Sequence, residues 1–128
     1  MSEQNKNFII FGGCGFIGNH LIKYLNNISE KPLVCDLHDR IFIDDMKFIF
    51  EKIDVRNQIN TVCIPSKEGI IYNLAAIHKT PGHKSKEYYN TNINGAINIC
   101  NYARENSIKT IKYKRYSRIQ RTINRFSS

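Results

Sequence analysis

Three glycines at a regular interval, Gly12, Gly15 and Gly18, stand between an apolar run and a helical pattern in FIIFGGCGFIGNHLIKYL, residues 8–25. Bare backbone at that point has a chemistry. The first glycine permits a tight turn, the second lets backbone approach a pyrophosphate without a Cβ in the way, and the third permits close packing of the helix on a sheet. Free N–H groups at the helix start, with the helix dipole behind them, favour anionic phosphates. An acidic side chain, Asp36, follows 18 residues after Gly18, near the ~20-residue offset at which a carboxylate meets a ribose 2′-hydroxyl. A carboxylate there accepts hydrogen bonds from the diol and repels a 2′-phosphate, which favours NAD over NADP. His38 and Arg40 follow closely and are residue types that serve a 2′-phosphate, so NADP stands as the lesser alternative.

Such a turn works only if a strand enters it and a helix leaves it. NFIIF (7–11) reads as a buried strand, and apolar residues then recur at helical spacing at Ile17, Leu21, Tyr24, Leu25 and Ile28. PLVCD (32–36) reads as a second strand, with proline at its start where a missing N–H does least harm. A third strand is expected near Phe48–Ile53, a short helix over 57–64, and a fourth strand over GIIYNLAAI (69–77). That fourth run is apolar throughout, as suits a parallel strand covered on both faces. Tyr89, Ile93, Ala96, Cys100 and Ala103 then step by four and three residues as a helix, and IKTIKY (108–113) opens like a fifth strand. Strands separated by helices imply right-handed crossovers. The expected class is α/β: a Rossmann-type doubly wound parallel sheet, truncated after about the fifth strand.

Composition narrows the function classes. With 128 residues and 41% hydrophobic content the chain suits one modest domain. No apolar run approaches the ~20 residues of a membrane span, and the polar start MSEQNKN carries no signal-peptide core, so a cytoplasmic protein is expected. Cys14, Cys35, Cys63 and Cys100 form no Cys-x-x-Cys pair and each lies in an apolar pattern. They read as buried free thiols and not as metal ligands or disulfides. The net charge of +8 is uneven. Residues 1–108 hold twelve basic and eleven acidic side chains, whereas residues 109–128 hold seven basic and none acidic.

The segment GGCGFIGNHL resembles the nucleotide-binding start of the extended short-chain dehydrogenase/reductase family, the NAD-dependent epimerase/dehydratases of nucleotide sugars. Phe11 stands where that fingerprint, T-G-G-x-G-F-I-G, has threonine, while Phe16, Ile17 and Gly18 match its end. IDVRN (53–57) is similar to the family's D-[ILV]-R-[DN]. The resemblance implies that Asp54 meets the adenine amino group with Val55 beside the ring. YNLAA (72–76) resembles the H-L-A-A at the end of the fourth strand, which implies that Leu74, Ala75 and Ala76 run along the cofactor. YNTNINGAINIC (89–100) resembles Y-x-x-N-V-x-G-T-x-N-L-L and places Asn92 and Gly95 on fixed positions of that pattern. The segments are colinear over about residues 7–113. The resemblance implies a Rossmann domain over residues 1–113, bound NAD and a nucleotide-sugar substrate in the intact family.

The family's acid–base chemistry needs a tyrosine with a lysine four residues later, since a phenol of pKa ~10 is a poor base without a nearby cation. Each of the seven tyrosines is followed at that spacing by a residue other than lysine. No catalytic residue is assigned, and the chain alone is expected to be catalytically incompetent. His78 and His83 lie in a segment that the resemblance puts near the nicotinamide and sugar, while His20 reads as a packed or partly exposed histidine. Where the fifth strand should run into a Thr-Ser-rich turn, the chain reads YKRYSRIQRTINRFSS. A one-base forward shift beneath Tyr113–Gln120 can encode T-S-x-I-A-V-Y. Residues 114–128 are therefore expected to be an out-of-frame or disordered basic tail. The alternative is a small NAD-responsive regulatory module whose basic tail binds nucleic acid, although no nucleic-acid motif accompanies it. Sequencing the gene downstream of the Ser107 codon checks the frame. The expected outcome is a shifted frame reading through T-S-x-I-A-V-Y to a Tyr-x-x-x-Lys.

Overall fold

The computed structural model describes residues 5–75 and 89–113. Ala76, His78, His83 and the basic tail lie outside them. Strands β1 (Asn5–Phe11), β2 (Leu33–Asp36), β3 (Ile49–Lys52), β4 (Ile64–Asn73) and β5 (Thr110–Tyr113) form one sheet in the order β3-β2-β1-β4-β5. All its pairings are parallel. The chain winds outward from β1 in one direction and then returns to wind outward in the other. This is the doubly wound Rossmann order, which leaves a crevice at the carboxyl ends of the central strands.

Alternation along β1 explains the two cores. Ile9 and Phe11 face one side, with Leu33, Cys35 and Ile71 of the sheet and with Ile99, Tyr102 and Ala103 of helix α2 (Gly95–Glu105). Ile10 faces the other side, with Val34 and with Ile17, Leu21, Ile22 and Leu25 of helix α1 (Phe16–Asn27). Each fully buried aliphatic side chain contributes about 1.5–3 kcal/mol. The Tyr102 ring meets Phe11 edge-on, with centroids 5.6 Å apart. Cys14 and Cys35 are buried free thiols as expected, whereas Cys63 and Cys100 are only half-buried.

Three elements depart from the sequence reading. No helix forms over residues 57–64. This crossover must pass from β3 beneath β2 and β1 to β4, three strand spacings or about 14 Å, while also returning to the start of β4. Eight helical residues rise only about 12 Å, whereas extended chain covers about 26 Å. The segment is extended and held by polar contacts. Glu51 accepts hydrogen bonds from Val62 N–H at 2.7 Å and Cys63 N–H at 2.8 Å. Thr61 Oγ1 donates to Cys63 O at 2.9 Å, which leaves the Tyr102 hydroxyl to donate to Thr61 at 2.8 Å.

The fourth strand starts earlier than expected, because Ile64 and Pro65 pair with Asn5 and Lys6 before an irregularity opposite Asn7. The helix expected from Tyr89 begins as a π-helical turn, Tyr89–Asn94, before α2. A wider turn changes the helical phase. The buried face of α2 is therefore Gly95, Ile99, Tyr102 and Ala103, while Ile93 is exposed and Cys100 half-buried.

Two asparagines on one face of α1 hold the chain that follows β2. Asn19, fully buried, donates to Gly15 O at 3.0 Å and Arg40 O at 3.4 Å and accepts from Phe42 N–H at 2.9 Å. Two turns later, Asn26 donates to Lys47 O at 2.8 Å and accepts from Lys47 N–H at 2.7 Å. Asn19→Ala removes the bonds to Arg40 O and Phe42 N–H, whereas Gly15 O keeps the residue-19 backbone N–H at 2.9 Å. It is expected to cost about 2 kcal/mol, read as a lower urea midpoint, with Asn26→Ala at the solvent-exposed end costing less.

Candidate dinucleotide-binding site

The glycine turn is fixed by backbone from both sides. Gly12 N–H donates to Cys35 O and Leu74 N–H to Phe11 O, each at 2.8 Å. Gly12 has φ 78°, and a Cβ there would lie 2.6 Å from Ala75 N. Gly13, to which the sequence reading gave no role, abuts the sheet: its Cβ would lie 2.7 Å from Val34 Cγ1. At Gly18 a Cβ would collide with the Gly13 backbone. The third glycine thus packs α1 against the turn itself and not against the sheet. Gly15 differs from all of these, since nothing lies within 4 Å of a Cβ added there. It is also the N-cap of α1, with no side-chain cap and no acidic residue in the first turn.

Above the strand ends lies an open groove of about 380 Å³ lined by Gly12, Gly15, Asp36, Asp54, Val55 and Ala75, among others. Leu74 also lines it, as do Cys35, Leu37, Ile53, Arg56 and Thr91, to which the sequence reading gave no place in the site. The remaining candidates fall elsewhere. Ile17 and Gly18 are buried behind the turn, and Phe16 is exposed at its flank beside His20 and Phe42. Asn92 sits in the π-helical turn, where its neighbour Thr91 reaches the groove. Ala76 is outside the described residues. Gly95, placed by the resemblance on a fixed position of the family pattern, lets α2 approach Val55, whose Cγ2 would be 3.0 Å from an added Cβ. Asn98 donates to Val55 O at 2.8 Å and fixes the same loop.

Two carboxylates stand on the groove wall. Asp36 Oδ2 accepts from Cys14 N–H at 3.0 Å and Oδ1 from Leu37 N–H at 2.7 Å. It therefore holds the glycine turn while facing the groove. Asp54 is gripped by Arg56: Nη2 donates to Oδ2 at 2.7 Å, and Nε and the backbone N–H donate to Oδ1 at 2.9 and 3.0 Å. That guanidinium holds the Asp54 carboxyl below its ordinary range. Burial pushes the Cys14 thiol up, and it pushes the Tyr102 hydroxyl up to about 12. Both stay protonated at neutral pH. Among the described residues no group of His, Cys, Asp and Glu is arranged to hold a metal, and no helix is long and apolar enough to cross a membrane.

A doubly wound parallel sheet whose first strand enters a glycine turn, with an acidic residue ending the second, defines the Rossmann class of nucleotide-binding proteins. Within that class, the model of the NAD dependent epimerase/dehydratase family matches residues 8–116, and the chain belongs to that family. It is 30% identical over 134 aligned positions to the bifunctional protein GAL10 of Candida maltosa, covering 93% of this chain and 87% of that sequence. It is 29% identical to the bifunctional protein gal10 of Schizosaccharomyces pombe, of which it spans 20%. Among solved structures, a UDP-galactose 4-epimerase superposes with a TM-score of 0.71 at 19% identity, covering 83% of this chain and 36% of that one. The Bordetella bronchiseptica enzyme WbmG, solved in complex with NAD and UDP, gives 0.66 at 19%, covering 85% and 37%. The chain thus spans little more than a third of these solved relatives.

The turn separates glycines that build the fold from one that faces the groove. Gly15→Ala is expected to leave the melting temperature nearly unchanged, because the unfolded-state freedom it removes, worth about 0.4–1 kcal/mol, offsets the similar preference for glycine over alanine at a helix N-cap. Gly18→Ala is expected to unfold much of the protein, and thermal melts followed by circular dichroism distinguish the two. The Asp54–Arg56 pair carries a pH signature. Its folded-state pKa is lowered, so its stabilisation is complete above the unfolded value of ~3.9 and is lost as pH falls through the lowered one. With side chains 25% and 50% exposed, the pair contributes at most ~1 kcal/mol. Urea titrations of wild type and Asp54→Asn are expected to differ by that amount at neutral pH and to converge in acid.

Proposed function

We propose that this chain is the dinucleotide-binding part of an epimerase/dehydratase that acts on a nucleotide sugar, with residues 1–113 as the NAD-binding domain. The observation that carries this reading is Gly15, a helix N-cap with open space above it at the end of a groove whose wall bears Asp36 and Asp54. The pyrophosphate lies over the free N–H groups at the start of α1. The adenosine ribose meets Asp36, and the adenine lies along Val55 with its amine toward Asp54. Leu74, Ala75 and Ala76 flank the path to the nicotinamide, with Asn92 near its far side. When bound, NAD supplies a hydride acceptor. This chain's residues bind and orient it.

Asp36 supports NAD over NADP, because its carboxylate repels a 2′-phosphate at that position. The groove's size suits the adenosine-diphosphate half of the cofactor. No tyrosine in the 128 residues is followed four positions later by lysine. In our reading the chain alone does not turn over its sugar nucleotide. WbmG holds UDP beside NAD, which supports a uridine nucleotide sugar as the substrate class of the intact enzyme. The free thiols support a cytoplasmic setting. In this reading residues 114–128 lie outside the domain.

Calorimetric titration tests the reading. NAD is expected to bind, NADP at least tenfold more weakly, and Gly15→Ala to weaken NAD without loss of fold. NAD at 100 times its Kd is expected to add about 2.7 kcal/mol of stability. Absence of NAD binding by the folded protein overturns the proposal.

A further inference from the structure

The groove wall contains a side-chain pair whose geometry exceeds what the fold needs from it. Arg56 follows Asp54 by two residues in a turn closed by Asn57 N–H donating to Asp54 O at 3.1 Å. Its guanidinium meets the carboxylate as a fork: Nη2 to Oδ2 at 2.7 Å, Nε to Oδ1 at 2.9 Å and to Oδ2 at 3.2 Å. The backbone N–H of Arg56 adds a bond to Oδ1 at 3.0 Å. A pair this exposed contributes little to stability, yet both residues line the groove.

We propose that Arg56 is a positioning residue for base selectivity. It holds the Asp54 carboxylate in one orientation, so that the groove accepts a base with an exocyclic amine and rejects one with a carbonyl at that position. The proposal rests on the groove binding a dinucleotide. A carboxylate has about four lone-pair positions and, when ionised, only accepts. Three Arg56 donors, with Nε shared between the two oxygens, fill both positions on Oδ1 and one on Oδ2, which leaves one acceptor position on Oδ2 for the ligand. An amine placed there gains a charge-assisted hydrogen bond, whereas a carbonyl oxygen meets an acceptor it cannot pair with. Val55, buried between the two residues and braced by Gly95 and Asn98, keeps the loop from shifting to suit the second base. A lysine cannot reproduce the planar fork.

The test compares Kd values of the full chain for NAD and for nicotinamide hypoxanthine dinucleotide, in which a carbonyl replaces the adenine amine. Wild type is expected to prefer NAD at least tenfold. Arg56→Gln is expected to bring the ratio below threefold, and Arg56→Lys to give a ratio between the two. Circular dichroism melts establish that each variant folds, and if Arg56→Gln does not fold, the Arg56→Lys ratio decides. A wild-type ratio retained in the variants, or equal binding of both dinucleotides by wild type, overturns the proposal while leaving the groove a dinucleotide site. If wild type binds neither dinucleotide, the reading of the groove fails and the proposal falls with it.

Discussion

Everything at the carboxyl edge of the sheet depends on one steric constraint: glycine backbone packs against backbone at Gly12 and Gly18 and against side chains at Gly13, with no room for a Cβ. Gly12 lies against the Leu74–Ala75 segment, Gly13 against Val34 and Ile10, and Gly18 against Gly13. These approaches set how closely α1 sits on the turn and how β1 meets β2 and β4. They also fix where the N-terminus of α1 points. Gly15 caps α1 through its carbonyl, which accepts from Asn19, yet its Cα faces open space and presents bare backbone to the groove. Phosphate-binding turns need this combination, since N–H groups must be held in place before the ligand arrives.

The two groove carboxylates are held differently, and the difference follows from their places in the chain. Asp36 ends β2 beside the turn, so backbone N–H groups of Cys14 and Leu37 are within reach. Asp54 lies two residues beyond β3, where no neighbouring strand continues, and a side chain two positions on supplies the donors. Each carboxylate therefore organises protein structure with some of its acceptor capacity and faces the groove with the rest. A single substitution at either position disturbs both roles, whereas Arg56 and Gly15 offer ways to separate them.

The opposite core depends on an extended crossover in place of a helix. Residues 54–63 have to span three strand spacings while returning to the start of β4, and the available length dictates an open conformation. Ile59 is the apolar anchor of that segment, buried with Val55 in the α2-side core. Glu51, Thr61 and Tyr102 satisfy the polar groups that a helix would have paired internally. The polar patterning of NQINTVCI offered a helical reading only because the distance to be covered is not written in the segment.

The sequence by itself determined the alternation of strand and helix, the parallel sheet, the turn at Gly12–Gly18 and the acidic residues at the ends of the second and third strands. These are local: glycine permits close approach, apolar runs bury, and the period of the pattern selects helix or strand. It also determined that no Tyr-x-x-x-Lys pair is present. Tertiary structure alone decided that Gly18 packs on Gly13, that Gly95 makes room for Val55, and that Asn19 and Asn26 clasp the chain after β2. It also decided which face of α2 is buried and that Arg56 grips Asp54. Each of these depends on distances between segments that are remote in sequence or on side-chain rotamers within a turn. Neither composition nor periodicity encodes such quantities, because they arise only when the packed elements compete for the same space.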